Sequence, residues 1–241
     1  MPAGHPPRAR LIAVTGTDTG VGKTWVACAL ARSWSARGLR VRVCKPLETG
    51  WPSEGAADET DAGRLRLAAG ADQAIEDVCL YRFLDPVAPY VAARAEGVVI
   101  DTERVARHIE HLLDGCDVVL VEGAGGLLAP LAPGWTLLDL AARTGAVVVV
   151  VVADRLGCLN HALLTERALA NAGVFHLGFV MNQLPGTGDD SRLSNEKTLG
   201  DWTHAPIRRA PESADSDAWG RIAEAILVGT GERGRQKPPQ S

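Results

Sequence analysis

The chain has 241 residues, of which 46% are apolar and 22% are charged, a balance typical of one globular α/β domain rather than of a disordered chain. Its net charge of -4 opposes nucleic-acid binding, which requires a basic surface. The N-terminal segment lacks the apolar region of a secretory signal, and the run Val147–Ala153 is too short to cross a membrane. Five cysteines without a C-x-x-C pair argue against structural zinc and a disulfide framework. We therefore expect a cytoplasmic protein that binds neither nucleic acid nor membrane.

Apolar runs and helix-period patterns alternate along the chain. In chain order they predict a strand at 11–15, a helix at 24–37, a strand at 41–45, a loop at 51–60, a helix at 61–69, a loop at 81–90, a helix at 102–113, strands at 117–122 and 147–152, a helix at 158–172, a strand at 176–182 and a helix at 215–227. This alternation predicts a three-layer α/β/α fold with a mostly parallel central sheet. The consecutive valines at 147–152 predict a central strand, because both of its faces must be covered.

The two ends of the chain differ in composition from the rest. Residues 1–9 and 229–241 are polar or rich in proline, and we expect both to be disordered tails. We assign one domain to residues 10–228.

Residues 16–24, with the sequence GTDTGVGKT, lie between the first predicted strand and the first predicted helix and carry the strongest signal. Glycines let backbone N–H groups surround phosphate oxygens, Lys23 adds a cation, and the Thr24 hydroxyl is suited to Mg²⁺. The general phosphate-binding loop begins with glycine at the position of Thr17, whereas here the first glycine is Gly16. The alternative is a turn that only joins strand to helix, but the GKT ending in this context favours nucleotide binding.

Four further polar residues stand at or near strand ends, and each has a simpler structural interpretation. Glu122 opens the segment EGAGG, where it either orients Mg²⁺ or is an exposed acid at a turn. Lys45, on its spacing alone, is most simply a solvated residue at the end of its strand. Asp61 lies among several acids that are most simply surface charge. Asn182 either presents its amide to a base or caps the turn before Pro185.

Four segments in this order resemble the dethiobiotin synthetase family of P-loop enzymes: GTDTGVGKT, KPLETG, EGAGG and LGCLNHALLT. The elongated glycine loop is itself the form found in that family. Two related classes are the alternatives. Partition-type or regulatory ATPases carry a signature lysine where this chain has Asp18, and cobyrinate-type amide synthetases usually carry an additional glutaminase domain. The resemblance implies a fold of the P-loop NTPase type.

The resemblance also implies the reaction and its cofactor. The expected substrates are 7,8-diaminononanoate, CO₂ and ATP, with Mg²⁺ as the metal. One amine forms a carbamate, ATP phosphorylates the carbamate, and the second amine closes the ring to give dethiobiotin, ADP and phosphate. Phosphorylation is needed because a carbamate oxygen is a poor leaving group, and its charge must be neutralised by cations.

Individual residues take their expected roles from the same resemblance. Lys23 at the phosphates and Lys45 at the carbamate are the expected catalytic residues. Mg²⁺ is assigned to Thr24, Asp61 and Glu122. The nucleotide is assigned to Gly20, Val21, Gly22, Lys23, Thr24, Trp25, Asp61, Glu122, Gly123, Ala124, Gly125, Asn182 and Gln183. The diaminononanoate is assigned to Thr19, Lys45, Thr49, Leu156, Gly157, Cys158, Leu159 and Asn160.

A homodimer with shared sites is expected from the segment 156–164, LGCLNHALL. It follows a central strand and opens a helix, whose free N–H groups suit the substrate carboxylate. The P-loop of one subunit would hold the reacting amines while the partner holds that carboxylate. The late loop 206–213, PIRRAPES, departs from the family pattern by its two arginines, which leaves the base selectivity open.

Overall fold

The computed structural model describes residues 9–53, 57–186, 189–213 and 217–232. These residues form eight strands: β1 (Arg10–Gly16), β2 (Val41–Cys44), β3 (Leu47–Thr49), β4 (Tyr81–Phe83), β5 (Val118–Gly126), β6 (Val147–Ala153), β7 (His176–Asn182) and β8 (Ile207–Arg209). They also form nine α-helices: α1 (Lys23–Ser35), α2 (Asp61–Ala68), α3 (Ile75–Val78), α4 (Pro89–Ala95), α5 (Thr102–Leu112), α6 (Leu137–Thr144), α7 (Cys158–Asn171), α8 (Asn195–Trp202) and α9 (Asp217–Glu232).

Six strands form the central sheet in the order β2-β5-β1-β6-β7-β8, and every pairing between them is parallel. Strands β3 and β4 form a separate two-stranded parallel sheet beside it. All seven residues of β6 are buried, as the run of valines predicts for a strand covered on both faces. The predicted three-layer α/β/α fold with a mostly parallel sheet is confirmed.

The two faces of the sheet carry two different sets of helices. Alternate residues of β1 and β6 point to opposite faces, so that Ala13 and Val148 pack with α4 to α8, whereas Ile12 and Val149 pack with α1, α2, α3 and α9. On the second face, the Trp34 indole nitrogen donates to the Ala223 carbonyl oxygen at 3.0 Å and joins α1 to α9. This packing fixes the position of the carboxyl edge of the sheet, where ligands bind in open α/β folds.

The structure differs from the sequence predictions in the segments between the long strands. The predicted loop at 81–90 contains β4 and the start of α4, and three residues of the predicted loop at 51–60, Ala57–Glu59, form a 3₁₀-helix. The pattern did not indicate β3, α3, α6, α8 or β8, which are three to eight residues long and rely on tertiary packing.

The C-terminal helix is longer than predicted. Residues 229–232 were assigned to a disordered tail, but they continue α9. A Cβ at Gly229 would lie 2.9 Å from the Leu177 side chain, so glycine here permits close packing rather than ending the helix. Residues 1–8 and 233–241 of the predicted tails lie outside the described residues, and the assignment of one domain to 10–228 stays a prediction. No helix among the described residues has the length and apolar character needed to cross a membrane.

Candidate active site

The glycine-rich segment 16–24 forms a loop from the end of β1 to the start of α1. Gly20 and Gly22 have φ angles of 73° and 90°, a region that favours glycine. A Cβ at Gly22 would lie 2.0 Å from the Asn182 amide nitrogen, so no larger residue fits there. That nitrogen donates to the Val21 carbonyl oxygen at 3.0 Å. Asn182 therefore holds the loop against the end of β7, a contact that neither sequence interpretation of this residue anticipated.

Lys23 lies inside this loop. Its side chain is buried, and Nζ donates to the Asp18 carbonyl oxygen at 3.1 Å. Burial lowers the pKa of Lys23, an effect that exceeds the opposing attraction of Glu122 and Asp61, while neighbouring Lys45 lowers it further. A buried ammonium in a glycine loop is placed to receive an anion.

Lys45 is buried, with 5% of its surface exposed, so the interpretation of a solvated strand end is wrong. Its Nζ contacts Asp61 Oδ2 at 2.7 Å and Glu122 Oε1 at 2.6 Å. The strand context alone could not indicate this, because the two carboxylates lie 16 and 77 positions away in sequence. Three residues with separate expected roles, one catalytic and two for the metal, thus form one ionic cluster.

Glu122 is fully buried, which rules out its interpretation as an exposed acid. Its Oε1 accepts a hydrogen bond from the Thr24 hydroxyl at 2.7 Å as well as the contact from Lys45. Its Oε2 is buried and has no hydrogen-bond partner among the described residues. An orphaned carboxylate oxygen of this kind needs a donor or a cation.

The charges of the cluster stabilise one another. Burial lowers the pKa of Lys45, but Glu122 and Asp61 outweigh it and raise that pKa above its usual value. Burial raises the pKa of Asp61, but Lys45 outweighs it and lowers that pKa below its usual value. A raised amine pKa stabilises the fold until the pH rises through it, and a lowered carboxyl pKa stabilises the fold until the pH falls through it. Both contributions are therefore present at neutral pH.

The sequence analysis missed Glu48, which is buried at the centre of β3. Its two carboxylate oxygens accept from the backbone N–H groups of Asp61 at 2.8 Å and Ala62 at 2.9 Å, at the start of α2. Burial raises the pKa of Glu48 despite these bonds and the attraction of Lys45. Nothing in the motif KPLETG distinguishes this acid from a surface residue, because its partners lie at the start of another element. Glu48 fixes the backbone that carries the Asp61 carboxylate.

A cavity of about 270 Å³ lies beside the glycine loop, between the ends of β7 and β8. Its lining residues are Gly22, Trp25, Asn182, Gln183, Leu184, Pro185, Ala210, Pro211 and Glu212. It therefore brings together Gly22, Trp25, Asn182 and Gln183, which were assigned to the nucleotide. The two arginines of the loop at 206–213 do not line it. An apolar slot of this kind, next to a phosphate-binding loop, is suited to a planar base.

The segment after β6 is placed at the same edge of the sheet. Gly157 caps α7 with a φ of 91°, and Leu156 is 81% exposed. The Leu156 N–H donates to Asp189 Oδ2 at 3.0 Å. One of the backbone N–H groups near the start of α7 therefore already binds a carboxylate of the chain itself. No hydrogen bond or ion pair between described residues joins 156–160 to the Lys45 cluster.

The remaining expected residues belong to the glycine loop, β3 and β5. Thr19 is exposed and its N–H donates to Asp18 Oδ1, and Thr49 ends β3. Gly123, Ala124 and Gly125 belong to β5, whose last residue, Gly126, packs on the loop backbone.

Sequence comparison places these features among known proteins. Residues 10–209 match a family described as AAA domain. The chain is 41% identical over 216 residues to the ATP-dependent dethiobiotin synthetase BioD of Anaeromyxobacter dehalogenans, covering 89% of this chain and 96% of that one. It is 44% identical over 193 residues to the protein of the same name from Rhodococcus jostii, covering 79% and 80% of the two chains.

Solved structures are similar in fold at lower identity. The cell division ATPase MinD of Pyrococcus furiosus has a TM-score of 0.54 at 20% identity, covering 94% of this chain and 99% of that one. Cobyrinic acid a,c-diamide synthase of Mycobacterium smegmatis, solved with ADP and magnesium, has a TM-score of 0.53 at 18% identity, covering 97% and 99%. At these identities the similarity establishes the P-loop fold alone.

Proposed function

The chain belongs to the dethiobiotin synthetase family, and we propose that it catalyses ATP-dependent ring closure of 7,8-diaminononanoate with CO₂. The observation that carries this proposal is the cluster of Lys45, Asp61, Glu122 and Thr24 beside the glycine loop, in which Lys45 and Glu122 are buried. A P-loop ATPase that only hydrolyses ATP has no evident use for a second buried lysine beside Lys23. A reaction whose phosphoryl acceptor is an anion, such as a carbamate, can use this second lysine to neutralise the charge of the acceptor.

Each step is balanced by groups of the chain and the substrates. One substrate amine adds to CO₂ and loses a proton to give the carbamate, whose oxygen attacks the γ-phosphorus and releases ADP. The second amine then attacks the carbonyl carbon, the carbon–oxygen bond to phosphate breaks as the ring closes, and the proton lost by this amine leaves with the phosphate; the proton of the first amine is released to water. Lys23 neutralises charge on the transferring phosphoryl group, and Lys45 neutralises charge on the carbamate and the mixed anhydride.

The donor set fits Mg²⁺, which prefers hard oxygen ligands. Thr24, Asp61 and Glu122 supply a hydroxyl and two carboxylates, and the orphaned Glu122 Oε2 is available to a cation. Bound there, Mg²⁺ would supply charge neutralisation at the phosphates. Lys45 contacts Asp61 Oδ2 and Glu122 Oε1, so it would hold both carboxylates in place while their other oxygens stay open to a cation.

The defining experiment measures ADP release with ATP alone and with the diamine and bicarbonate added. We expect ADP formation to require both additions, with dethiobiotin detected by mass spectrometry in an amount equal to the ADP. Equal ADP release without the diamine would favour a regulatory or partition-type ATPase instead.

Glu48→Ala is expected to raise the Mg²⁺ concentration that gives half-maximal activity, because Asp61 loses the anchor of its backbone. It should also lower the free energy of unfolding by about 1–3 kcal/mol, since two buried N–H groups lose their acceptor. Mg²⁺ titrations and urea unfolding measure the two effects. Glu48→Gln should show smaller changes than Glu48→Ala in the Mg²⁺ requirement and in the free energy of unfolding. Glu59→Ala, which changes an exposed acid in the same region, should change neither quantity. An unchanged Mg²⁺ requirement in Glu48→Ala would contradict this role.

We propose further that the working unit is a homodimer in which the partner's segment 156–160 holds the substrate carboxylate. Leu156, Leu164, Leu193 and Trp202 are between 56% and 91% exposed on or beside α7 and α8, which is a large amount of uncovered apolar surface. Among the described residues this segment makes no hydrogen bond or ion pair with the Lys45 cluster, so its contacts within one subunit do not assign it to that subunit's own site.

Mixing two inactive variants, Lys23→Ala and Leu159→Glu, is expected to restore part of the activity. In a mixed dimer one of the two sites combines both undamaged halves. Sedimentation measures the oligomeric state, and the activity of the mixture is compared with that of each variant alone. A monomer, or a mixture that stays inactive although the subunits exchange, would contradict the shared site.

A further inference from the structure

A second, larger cavity lies at the amino edge of the sheet, opposite the glycine loop. It has a volume of about 800 Å³ and is bounded by the starts of β7 and β8, the end of α8 and the last turns of α9. Phe175, Leu177, Trp202 and Val228 supply apolar wall, and Arg208 supplies a cation. No residue of the proposed active site lines this cavity.

The neighbouring arginines of β8 have opposite environments. Arg209 donates to Asp154 Oδ2 at 3.0 Å and to Glu196, so its charge is compensated by two carboxylates. Arg208, on the other side of the strand, donates through Nη1 to the Leu177 carbonyl oxygen at 2.8 Å. Among the described residues Arg208 makes no ion pair. The alternation of the strand therefore places a paired guanidinium on one face of β8 and an unpaired one on the other.

The unpaired guanidinium is also partly removed from water. Burial lowers the pKa of Arg208, and no carboxylate offsets this effect. A half-buried cation loses hydration that only a counter-ion or strong acceptors can replace, and a guanidinium carries five N–H donors. His176 and Glu166, which line the same cavity, contact each other, with His176 Nε2 3.4 Å from Glu166 Oε1. The cavity thus has apolar walls and one guanidinium whose donors the described residues satisfy only in part.

We infer that this cavity binds a small organic monocarboxylate with an apolar body, whose carboxylate pairs with the Arg208 guanidinium. Planar guanidinium and carboxylate groups match in a bidentate geometry, and Phe175, Leu177 and Trp202 cover the body of the ligand. A phosphate dianion fits less well, because Glu166 lines the same cavity and repels a dianion about twice as strongly as a monocarboxylate. This inference does not depend on the proposed catalytic activity, because the two sites lie at opposite edges of the sheet.

Calorimetric titration of the full chain with octanoate tests the inference. We expect octanoate to bind, octylammonium not to bind, and Arg208→Gln to weaken octanoate binding at least about tenfold. Arg221→Gln is the matched control, because it removes the same charge from an exposed position on α9 and should leave binding unchanged. Val228→Glu, at a residue that is 62% exposed, should also weaken binding through repulsion at the cavity wall, without a cost to folding.

The variants separate this cavity from the segment at the start of α7, which is a second possible carboxylate receptor. If Leu159→Glu abolished octanoate binding while Arg208→Gln and Val228→Glu kept it, the probe would bind at α7 and the inference would be wrong. Absence of octanoate binding to the full chain, or equal losses in Arg208→Gln and Arg221→Gln, would overturn it as well. Binding lost in Arg208→Gln and Val228→Glu but kept in Leu159→Glu and Arg221→Gln supports it.

Discussion

Lys23→Ala is expected to lower the rate of ADP formation about a thousandfold, because the glycine loop then lacks the cation that faces the transferring phosphoryl group. Lys23 is buried in the loop, and among the described residues its ammonium donates only to the Asp18 carbonyl oxygen and makes no ion pair. Removing it should leave the loop backbone in place, since the contact of Asn182 with Val21 does not involve the lysine. Steady-state turnover with all substrates measures the effect.

The control for this variant is Lys197→Ala, which removes a lysine from an exposed position on α8 and should retain normal turnover. Thermal unfolding of both variants shows whether the fold is kept. If Lys23→Ala retained near-normal turnover with an unchanged melting temperature, the glycine loop would not be the phosphate site.

Lys45→Gln is expected to lower the rate by about a hundredfold or more while it weakens nucleotide binding much less. In the proposed reaction Lys45 acts on the carbamate rather than on the nucleotide. The variant should also be less stable by about 3 kcal/mol, because Glu122 stays fully buried without its counter-ion. Turnover, calorimetric ADP binding and urea unfolding measure these three effects separately.

Two further measurements decide whether the loss of stability in Lys45→Gln has an electrostatic or a steric cause. The double variant Lys45→Gln with Glu122→Gln should recover most of the stability but not the activity, since the fully buried charge of Glu122 is gone and the remaining Asp61 carboxylate is 38% exposed to water. Mg²⁺ together with ADP should stabilise Lys45→Gln more than the unaltered chain, because the metal supplies the missing positive charge. Equal losses in rate and nucleotide binding would contradict the assignment of Lys45 to the carbamate.

The sequence predicted the parts of the molecule that are specified locally. The glycine loop at 16–24 and the valine strand β6 carry their conformation in their own residues, and the structure places both as expected. The burial of Lys45 could not be predicted from its strand, because it depends on carboxylates brought by β5 and α2. Only the resemblance to a known family indicated that Lys45 belongs to the site.

Short strands and helices account for most of the remaining differences between the sequence predictions and the structure. Strands β3, β4 and β8 have three residues each, too few to show a period. Strand β8 pairs with β7, and β3 and β4 pair with each other, so all three depend on tertiary contacts. Glu48 and Arg208 lie in two of these strands. Their partners, the start of α2 for Glu48 and the cavity beside α9 for Arg208, are tertiary features that no local pattern describes.

The buried strand β6 has a consequence outside the native state. Its sequence, VVVVVVA, combines high β-propensity with no charge and no proline, which is the composition of segments that stack into intermolecular β-structure. In the folded chain both edges of β6 are paired, with β1 on one side and β7 on the other, and helices cover both faces. Until those strands and helices assemble, the same residues are open to other copies of the chain, so protein concentration governs the yield of refolding.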